Sequence, residues 1–265
     1  MVLGPWAPSH RLWPLSMVGM LGDMVLVVLI VMVEITIGSD TKRMTAMDVS
    51  PQRDPWIMNP GEPLTMTLYR KRIHVSERSI TRSEKLHELK LFNNKLSGPL
   101  PSQFGANSPL QSLDLSYNQF SGEIPENLCA KRQLEDIILI YNSFSGKIPE
   151  SLGRCTSLDR VRLKHNRFSG LIPDDFWGLP KVFLLELAEN SFGGEISRTI
   201  SNAHNLSILS ISRNRFSGSL PDEIGSLETL VEISASENEF TGQIARSLVK
   251  LSQLVKLDLS ENEIN

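Results

Sequence analysis

An asparagine recurs at a constant interval along most of this 265-residue chain. The interval holds over eight positions without a slip, and the residues are Asn94, Asn118, Asn142, Asn166, Asn190, Asn214, Asn238 and Asn262. A fixed period of about 20–50 residues is the sequence signature of stacked repeats. We therefore expect the chain to build its core by covering each repeat with the next one.

Each asparagine closes the phrase L-x-x-L-x-L-x-x-N, as in Leu110, Leu113, Leu115 and Asn118, and glycine and proline recur after it. This pattern is typical of leucine-rich repeats. Leucines two residues apart point to one side of a strand, so successive strands are predicted to form a concave parallel β-sheet in an α/β solenoid. The asparagine side chains are predicted to form a ladder that satisfies backbone groups at the turns.

The chain divides into four predicted segments. Residues 1–14 are a leader, and residues 15–37 are a hydrophobic segment, interpreted either as a signal peptide or signal anchor or as an apolar stretch without function. Residues 38–76 contain four prolines and no periodicity, so they are predicted to be a poorly ordered linker. Residues 77–265 form the repeat domain, with seven full repeats from residue 86 and half of another.

The sequence carries no pattern that indicates catalysis. It contains no glycine-rich phosphate loop, and its five histidines are scattered without metal-ligand spacing. The net charge of −3 argues against nucleic-acid binding. We therefore predict a protein that is not an enzyme and has neither a metal site nor a cofactor.

Two further features concern covalent chemistry. Cys129 and Cys155 lie in adjacent repeats at positions that are not equivalent, so they are predicted to be partly buried thiols rather than a disulfide. Asn205-Leu206-Ser207 is a glycosylation sequon, which makes Asn205 a candidate glycosylation site.

The strand positions between the leucines face the concave side, and structural needs do not dictate their chemistry. About eight strands at 4.8 Å span about 35 Å, which is the length of roughly ten extended residues. The surface therefore fits a short peptide. The predicted ligand-binding residues are acidic, apolar, aromatic and basic: Phe92, Asp114, Tyr117, Asp136, Ile138, Tyr141, Arg160 and Arg162.

Arg160-Val161-Arg162 is the most specific local feature of this surface. Val161 is predicted to point inward, so both arginines project about 6.5 Å apart along one strand. Two adjacent guanidinium groups suit a carboxylate, in particular a peptide C-terminus. The alternative is two solvated arginines balanced by Asp136 and Glu186 on the neighbouring strands.

Longer phrases resemble the plant leucine-rich-repeat receptor kinases, in particular the HAESA and HAESA-like peptide-hormone receptors. They are LHELKLFNNKLSGPLPSQFGANSPL from Leu86, IILIYNSFSGKIP from Ile137, RVRL from Arg160, DFWGLP from Asp175 and LDLSENEI from Leu257. The resemblance covers about residues 77–265 and implies the plant-type, right-handed superhelix.

The resemblance implies an extracellular or plasma-membrane domain that binds a short secreted peptide. In this family an R-x-R pair grips the free C-terminal carboxylate of the peptide, and Arg160 and Arg162 match that pair. A co-receptor kinase is the other implied partner, although its usual docking region lies outside the resemblance. Residues 15–37 could supply a membrane tether.

Several departures leave other functions open. The resemblance stops before Ser76, the cysteine-paired cap of the family is missing, and the repeats break off at Asn265. We therefore expect an internal fragment with a solenoid uncapped at both ends. The alternatives to a peptide receptor are a truncated gene product without signalling function and an inhibitor or decoy that binds another protein.

Overall fold

The computed structural model describes residues 83–265 together with the strands Val33–Ile37, Asp40–Met44 and Leu64–Thr67. A nine-stranded parallel sheet forms the concave face, and equivalent residues of neighbouring repeats pair in it, as Arg160 does with Asp136. The predicted solenoid is confirmed. In chain order the strands of this sheet are Leu64–Thr67, Leu86–Lys90, Ser112–Asp114, Asp136–Ile138, Arg160–Arg162, Leu184–Glu186, Ile208–Ser210, Glu232–Ser234 and Lys256–Asp258.

A second set of parallel strands follows the ladder asparagines on the flank of the solenoid. The repeated glycine of each turn lies in this set, and Gly122, for example, has a φ of +77° that glycine adopts without steric cost. These strands are Ser97–Pro99, Gln119–Gly122, Ser143–Gly146, Arg167–Leu171, Ser191–Gly194, Arg215–Gly218, Glu239–Gly242 and Glu263–Ile264.

Short helical turns form the convex side. Two are α-helical, Glu150–Gly153 and Asp174–Trp177, and each follows a proline, Pro149 or Pro173, whose fixed φ suits the start of a helix. Proline fits there because the first helical N–H groups lack an intrahelical acceptor in any case. Three more turns are 3₁₀ helices, Arg198–Asn202, Asp222–Ser226 and Arg246–Lys250.

The predicted asparagine ladder is confirmed in detail at Asn118. Its Nδ2 donates to the carbonyls of Leu91, Leu115 and Ser116 at 2.8–3.1 Å, and its Oδ1 accepts from Leu96 N at 3.0 Å. Leu91 and Leu96 belong to the preceding repeat, so each amide joins two repeats. The other asparagines from Asn142 to Asn262 repeat this set of bonds.

A column of phenylalanines runs through the core beside the ladder. Neighbouring rings lie 5.8–6.4 Å apart between centroids and are nearly parallel, and all are buried. Because each ring is covered by the next repeat, the column stabilises the stack in one dimension. Its members are Phe120, Phe144, Phe168, Phe192, Phe216 and Phe240.

The prediction of two free thiols is wrong. Cys129 and Cys155 form a disulfide, and their Cα atoms lie 6.0 Å apart. The convex segments of adjacent repeats pack side by side, so a residue can reach a partner that is not its exact repeat equivalent. The sequence separation of 26 is slightly longer than the period, and the irregular convex turns accommodate that difference.

The prediction of a poorly ordered linker over residues 38–76 is wrong at two places. Asp40–Met44 is a strand that pairs with Val33–Ile37, and Leu64–Thr67 pairs in parallel with Leu86–Lys90. Leu86–Lys90 is therefore not an uncovered edge strand of the concave sheet. The rest of the linker, the leader 1–14 and residues 15–32 lie outside the described residues, and the segment boundaries stay a prediction.

Within the described part of the chain, no helix is both long enough and apolar enough to cross a bilayer.

Candidate functional site

The R-x-R pair lies in the middle of the concave sheet. Val161 is fully buried, whereas the side chains of Arg160 and Arg162 are 38% and 34% exposed. Strand pairing places Asp136 beside Arg160 and Ile138 beside Arg162. Four of the predicted ligand-binding residues therefore form one compact patch on two adjacent strands.

Both arginines contact an acid from a neighbouring strand. Arg162 Nε donates to Glu186 Oε2 at 2.6 Å, whereas Arg160 Nε lies 3.9 Å from Asp136 Oδ1. The guanidinium of Arg160 also lies over the ring of Phe183, 5.4 Å from its centroid, which is a cation–π distance. The ion pairs with Asp136 and Glu186, which the interpretation as two solvated arginines predicts, are thus present. Both acids contact Nε of the arginine.

The acids at this patch have partners of their own. Ser112 donates to Asp136 Oδ2 at 3.3 Å, and Asp114 accepts from the hydroxyl and the backbone N–H of Ser116. The strand order places both carboxylates on the side of the patch that faces the first repeats. Phe92 is half-buried and follows the strand Leu86–Lys90, which lies three strands away from Arg160–Arg162 in the sheet.

The residue before each ladder asparagine has a left-handed backbone. Its φ is between +54° and +60° in every described repeat, and this conformation turns the chain away from the concave sheet. The side chains at this position form a line that we call the turn ridge. The turn ridge consists of Asn93, Tyr117, Tyr141, His165, Glu189, Arg213, Glu237 and Glu261.

Aromatic residues occupy the part of the turn ridge nearest to the arginines. Tyr117 stacks on Tyr141 with centroids 4.8 Å apart, and Tyr141 contacts the His165 ring at 4.5 Å. Tyr117 is half exposed, so part of the stack faces solvent. The two tyrosines predicted as ligand-binding residues are therefore brought together along one margin of the patch.

Glu189 joins the turn ridge to the concave sheet. It accepts from His165 Nδ1 at 2.7 Å and pairs with Lys164 Nζ at 3.2 Å. The hydrogen bond from His165 lowers the pKa of the Glu189 carboxyl, burial opposes this effect, and Lys164 adds to it. In turn, burial lowers the pKa of Lys164, but its contacts with Glu189 outweigh burial and raise it.

Sequence reasoning missed Phe183 and Glu189. Phe183 lies one residue before its strand, outside the strand positions that are predicted to face the concave side, and Glu189 lies on the turn ridge. The repeat period is the signal that indicates Glu189, because Glu189 is the repeat equivalent of His165. Equivalent residues of adjacent repeats lie next to each other in space. Within the described residues, no cluster of histidine, cysteine or acidic side chains could hold a metal ion.

The Leucine Rich Repeat family matches residues 85–107, 109–130, 157–179 and 205–227. The structure of the Arabidopsis receptor kinase HAESA in complex with the peptide hormone IDA and the co-receptor SERK1 is 64% identical to this chain, with a TM-score of 0.70. The match covers 70% of this chain and 31% of that one. The chain belongs to the leucine-rich-repeat ectodomains of plant receptor kinases.

Two other ectodomains of this family are similar at lower identity. The plant peptide hormone receptor RGFR1 in complex with RGF2 is 35% identical with a TM-score of 0.69, covering 71% of this chain and 30% of that one. PEPR1 with AtPEP1 is 34% identical with a TM-score of 0.69, covering 77% and 27%. A comparison with curated proteins gave no match.

The present chain thus spans less than a third of each of these three ectodomains. The matched regions are leucine-rich repeats of the kind found in the HAESA ectodomain. The matched part of the chain is therefore a receptor-type repeat region.

Proposed function

We propose that this chain recognises a short secreted peptide on its concave face and binds the peptide's C-terminal carboxylate at Arg160 and Arg162. The observation that carries the proposal is the position of the two arginines, which project side by side from one central strand. HAESA was solved with the peptide hormone IDA, and the plant peptide hormone receptor RGFR1 was solved with RGF2, which supports the ligand class.

The contacts of the two arginines leave their binding groups available. The acids contact Nε in both cases, and in the part of the chain that the structure describes no protein acceptor is hydrogen-bonded to the terminal Nη atoms. Those atoms form the planar fork that pairs with a carboxylate through two parallel hydrogen bonds. The tyrosine stack and Ile138 offer apolar surface for the preceding peptide residues.

The proposal places the chain outside the cell, at the plasma membrane or secreted. A disulfide is stable in oxidising compartments, and Asn205 is exposed on a turn where a glycan could be attached. A co-receptor kinase is a second proposed partner, supported by the HAESA complex that contains SERK1. A membrane tether through residues 15–37 belongs to the same proposal.

The test is titration calorimetry of the full chain with the IDA peptide, as the free acid and as the C-terminal amide. We expect the acid to bind and the amide to bind weakly or not at all. Arg160→Ala/Arg162→Ala removes two charge-assisted contacts, so we expect it to weaken acid binding about a hundredfold.

Arg213→Ala/Arg215→Ala is the matched control, because it removes two arginines of the same R-x-R spacing from another surface. Arg213 lies on the turn ridge in an ion pair with Glu237, and Arg215 begins a flank strand. This variant should bind like the wild type. Equal binding of acid and amide, or no binding by a folded sample, would overturn the carboxylate clamp. The latter result would favour a truncated product or a protein-binding decoy.

A further inference from the structure

The two arginines of the proposed clamp are held with very different precision. Arg162 makes a 2.6 Å hydrogen bond to Glu186, whose side chain is only 15% exposed. Arg160 is 3.9 Å from Asp136, which is too long for a hydrogen bond, and its guanidinium lies over a phenylalanine ring. Only Arg162 therefore has its fork fixed by a directional, charge-assisted bond.

The arginine atom that Glu186 contacts determines how this hydrogen bond affects ligand binding. It uses Nε on the side of the guanidinium, so it fixes the rotation of the planar group, and no terminal Nη atom of Arg162 is hydrogen-bonded to Glu186. Fixing a long side chain before binding reduces the entropy that the ligand must remove. A carboxylate beside an anion site would by charge alone weaken anion binding.

We infer that Glu186 is a positioning residue, which orients the Arg162 fork and thereby sets the preference for a peptide acid over a peptide amide. The inference rests on the proposed function, since it assumes that the fork meets a ligand carboxylate. Orientation and charge predict opposite signs when Glu186 is removed, so the two effects can be separated by experiment.

Two substitutions distinguish the effects. Glu186→Ala removes both the acceptor and the charge, whereas Glu186→Gln keeps an oxygen acceptor for Nε and removes only the charge. Glu232→Ala is the matched control, because Glu232 pairs with Lys256 at 2.8 Å on the same sheet but three strands away from Arg162. Each full-length variant is titrated with the IDA peptide as free acid and as amide.

We expect Glu186→Ala to bind the acid about tenfold more weakly and to leave amide binding unchanged. Without Glu186 the peptide acid must itself immobilise the Arg162 side chain, and the conformational entropy lost in doing so weakens binding. Glu186→Gln should bind the acid at least as tightly as the wild type, and Glu232→Ala should keep the wild-type ratio of acid to amide affinity. Acid binding by Glu186→Ala that equals or exceeds wild-type binding would overturn the inference.

A second readout does not depend on the peptide. The ¹⁵N heteronuclear NOE of the Arg162 Nε–H group reports ps–ns motion of the side chain. We expect a rigid group in the wild type and in Glu186→Gln, and a mobile one in Glu186→Ala. Equal NOE values in all three would overturn the positioning role. If the wild type does not distinguish acid from amide, the proposed function fails, and the NOE alone decides whether Glu186 positions Arg162.

Discussion

At the residue scale, the ladder asparagines need both halves of their amide. Asn142 Nδ2 donates to the carbonyls of Leu115, Leu139 and Ile140 at 2.9–3.3 Å, while Oδ1 accepts from Phe120 N at 2.9 Å. An aspartate could keep the acceptor, but as a carboxylate it has no hydrogen to donate. It would also bring a negative charge against three carbonyl oxygens.

Asn142→Asp is therefore expected to destabilise the fold by about 3 kcal/mol or more, because three carbonyls each lose one of their donors and a charge faces them. The free energy of unfolding is measured by urea denaturation. Asn127→Asp is the control, since its Nδ2 makes only a 3.5 Å contact with Ser102 O on the convex side. Equal urea midpoints for the two variants would contradict the structural role of the ladder amide.

Contacts between equivalent positions of adjacent repeats could be predicted from the sequence, whereas contacts between non-equivalent positions could not. Arg162 and Glu186 are equivalent positions of adjacent repeats, and so are His165 and Glu189, so the repeat places each pair side by side. Phe183 precedes Leu184, the residue that pairs with Arg160, and its ring contact depends on how two flexible side chains lie across the sheet. Side-chain orientation of this kind requires coordinates.

At the element scale, the concave strands were predictable because alternating leucines mark them, but the flank strands were not. Ser143–Gly146 has the sequence SFSG, and serine and glycine have little preference for strands. Leu64–Thr67 was missed because its register with Leu86–Lys90 shifts between Leu64 and Thr65 and falls short of the repeat period. A search for one fixed period cannot find a strand at a different offset.

The Cys129–Cys155 disulfide joins the convex segments of two adjacent repeats. Its removal by Cys129→Ser/Cys155→Ser is expected to lower the free energy of unfolding by about 3 kcal/mol, because the loop between the two cysteines is no longer closed in the unfolded chain. Denaturation with and without reductant checks this value. The reductant should destabilise the wild type to the level of the variant and should leave the variant unchanged.

Equal stability of the oxidised and reduced wild type would contradict this expectation. Thiol labelling of the unfolded, oxidised wild type should detect no free cysteine, since both cysteines of the chain are in the disulfide.

At the scale of the whole molecule, stability is the sum of contacts between neighbouring repeats. The core is one continuous column, and the surface adds ion pairs that cross from one repeat to the next, such as Glu189 with Lys164 and Glu232 with Lys256. The period predicted the column, because every repeat must bury the same apolar positions. It did not predict the distribution of these charges, which differ in every repeat.

The carboxyl groups that cross repeats make stability depend on pH. The hydrogen bond from Lys256 lowers the pKa of Glu232 below its usual value, and the bond from His165 does the same for Glu189. A carboxyl whose folded pKa is below its unfolded value of 4.5 stabilises the fold above that pH. The contribution is lost as the pH falls from about 4.5 through the folded pKa.

Glu189→Gln/Glu232→Gln is therefore expected to be less stable than the wild type at pH 7 and to approach it at pH 3, because protonated carboxyls no longer contribute their charge. Thermal midpoints between pH 3 and 7 measure the difference. Glu228→Gln/Glu239→Gln is the control, since it removes two exposed carboxylates that form no ion pair within the described chain. A gap between wild type and Glu189→Gln/Glu232→Gln that stays constant across this range would show that the two carboxylates act by packing and not by charge.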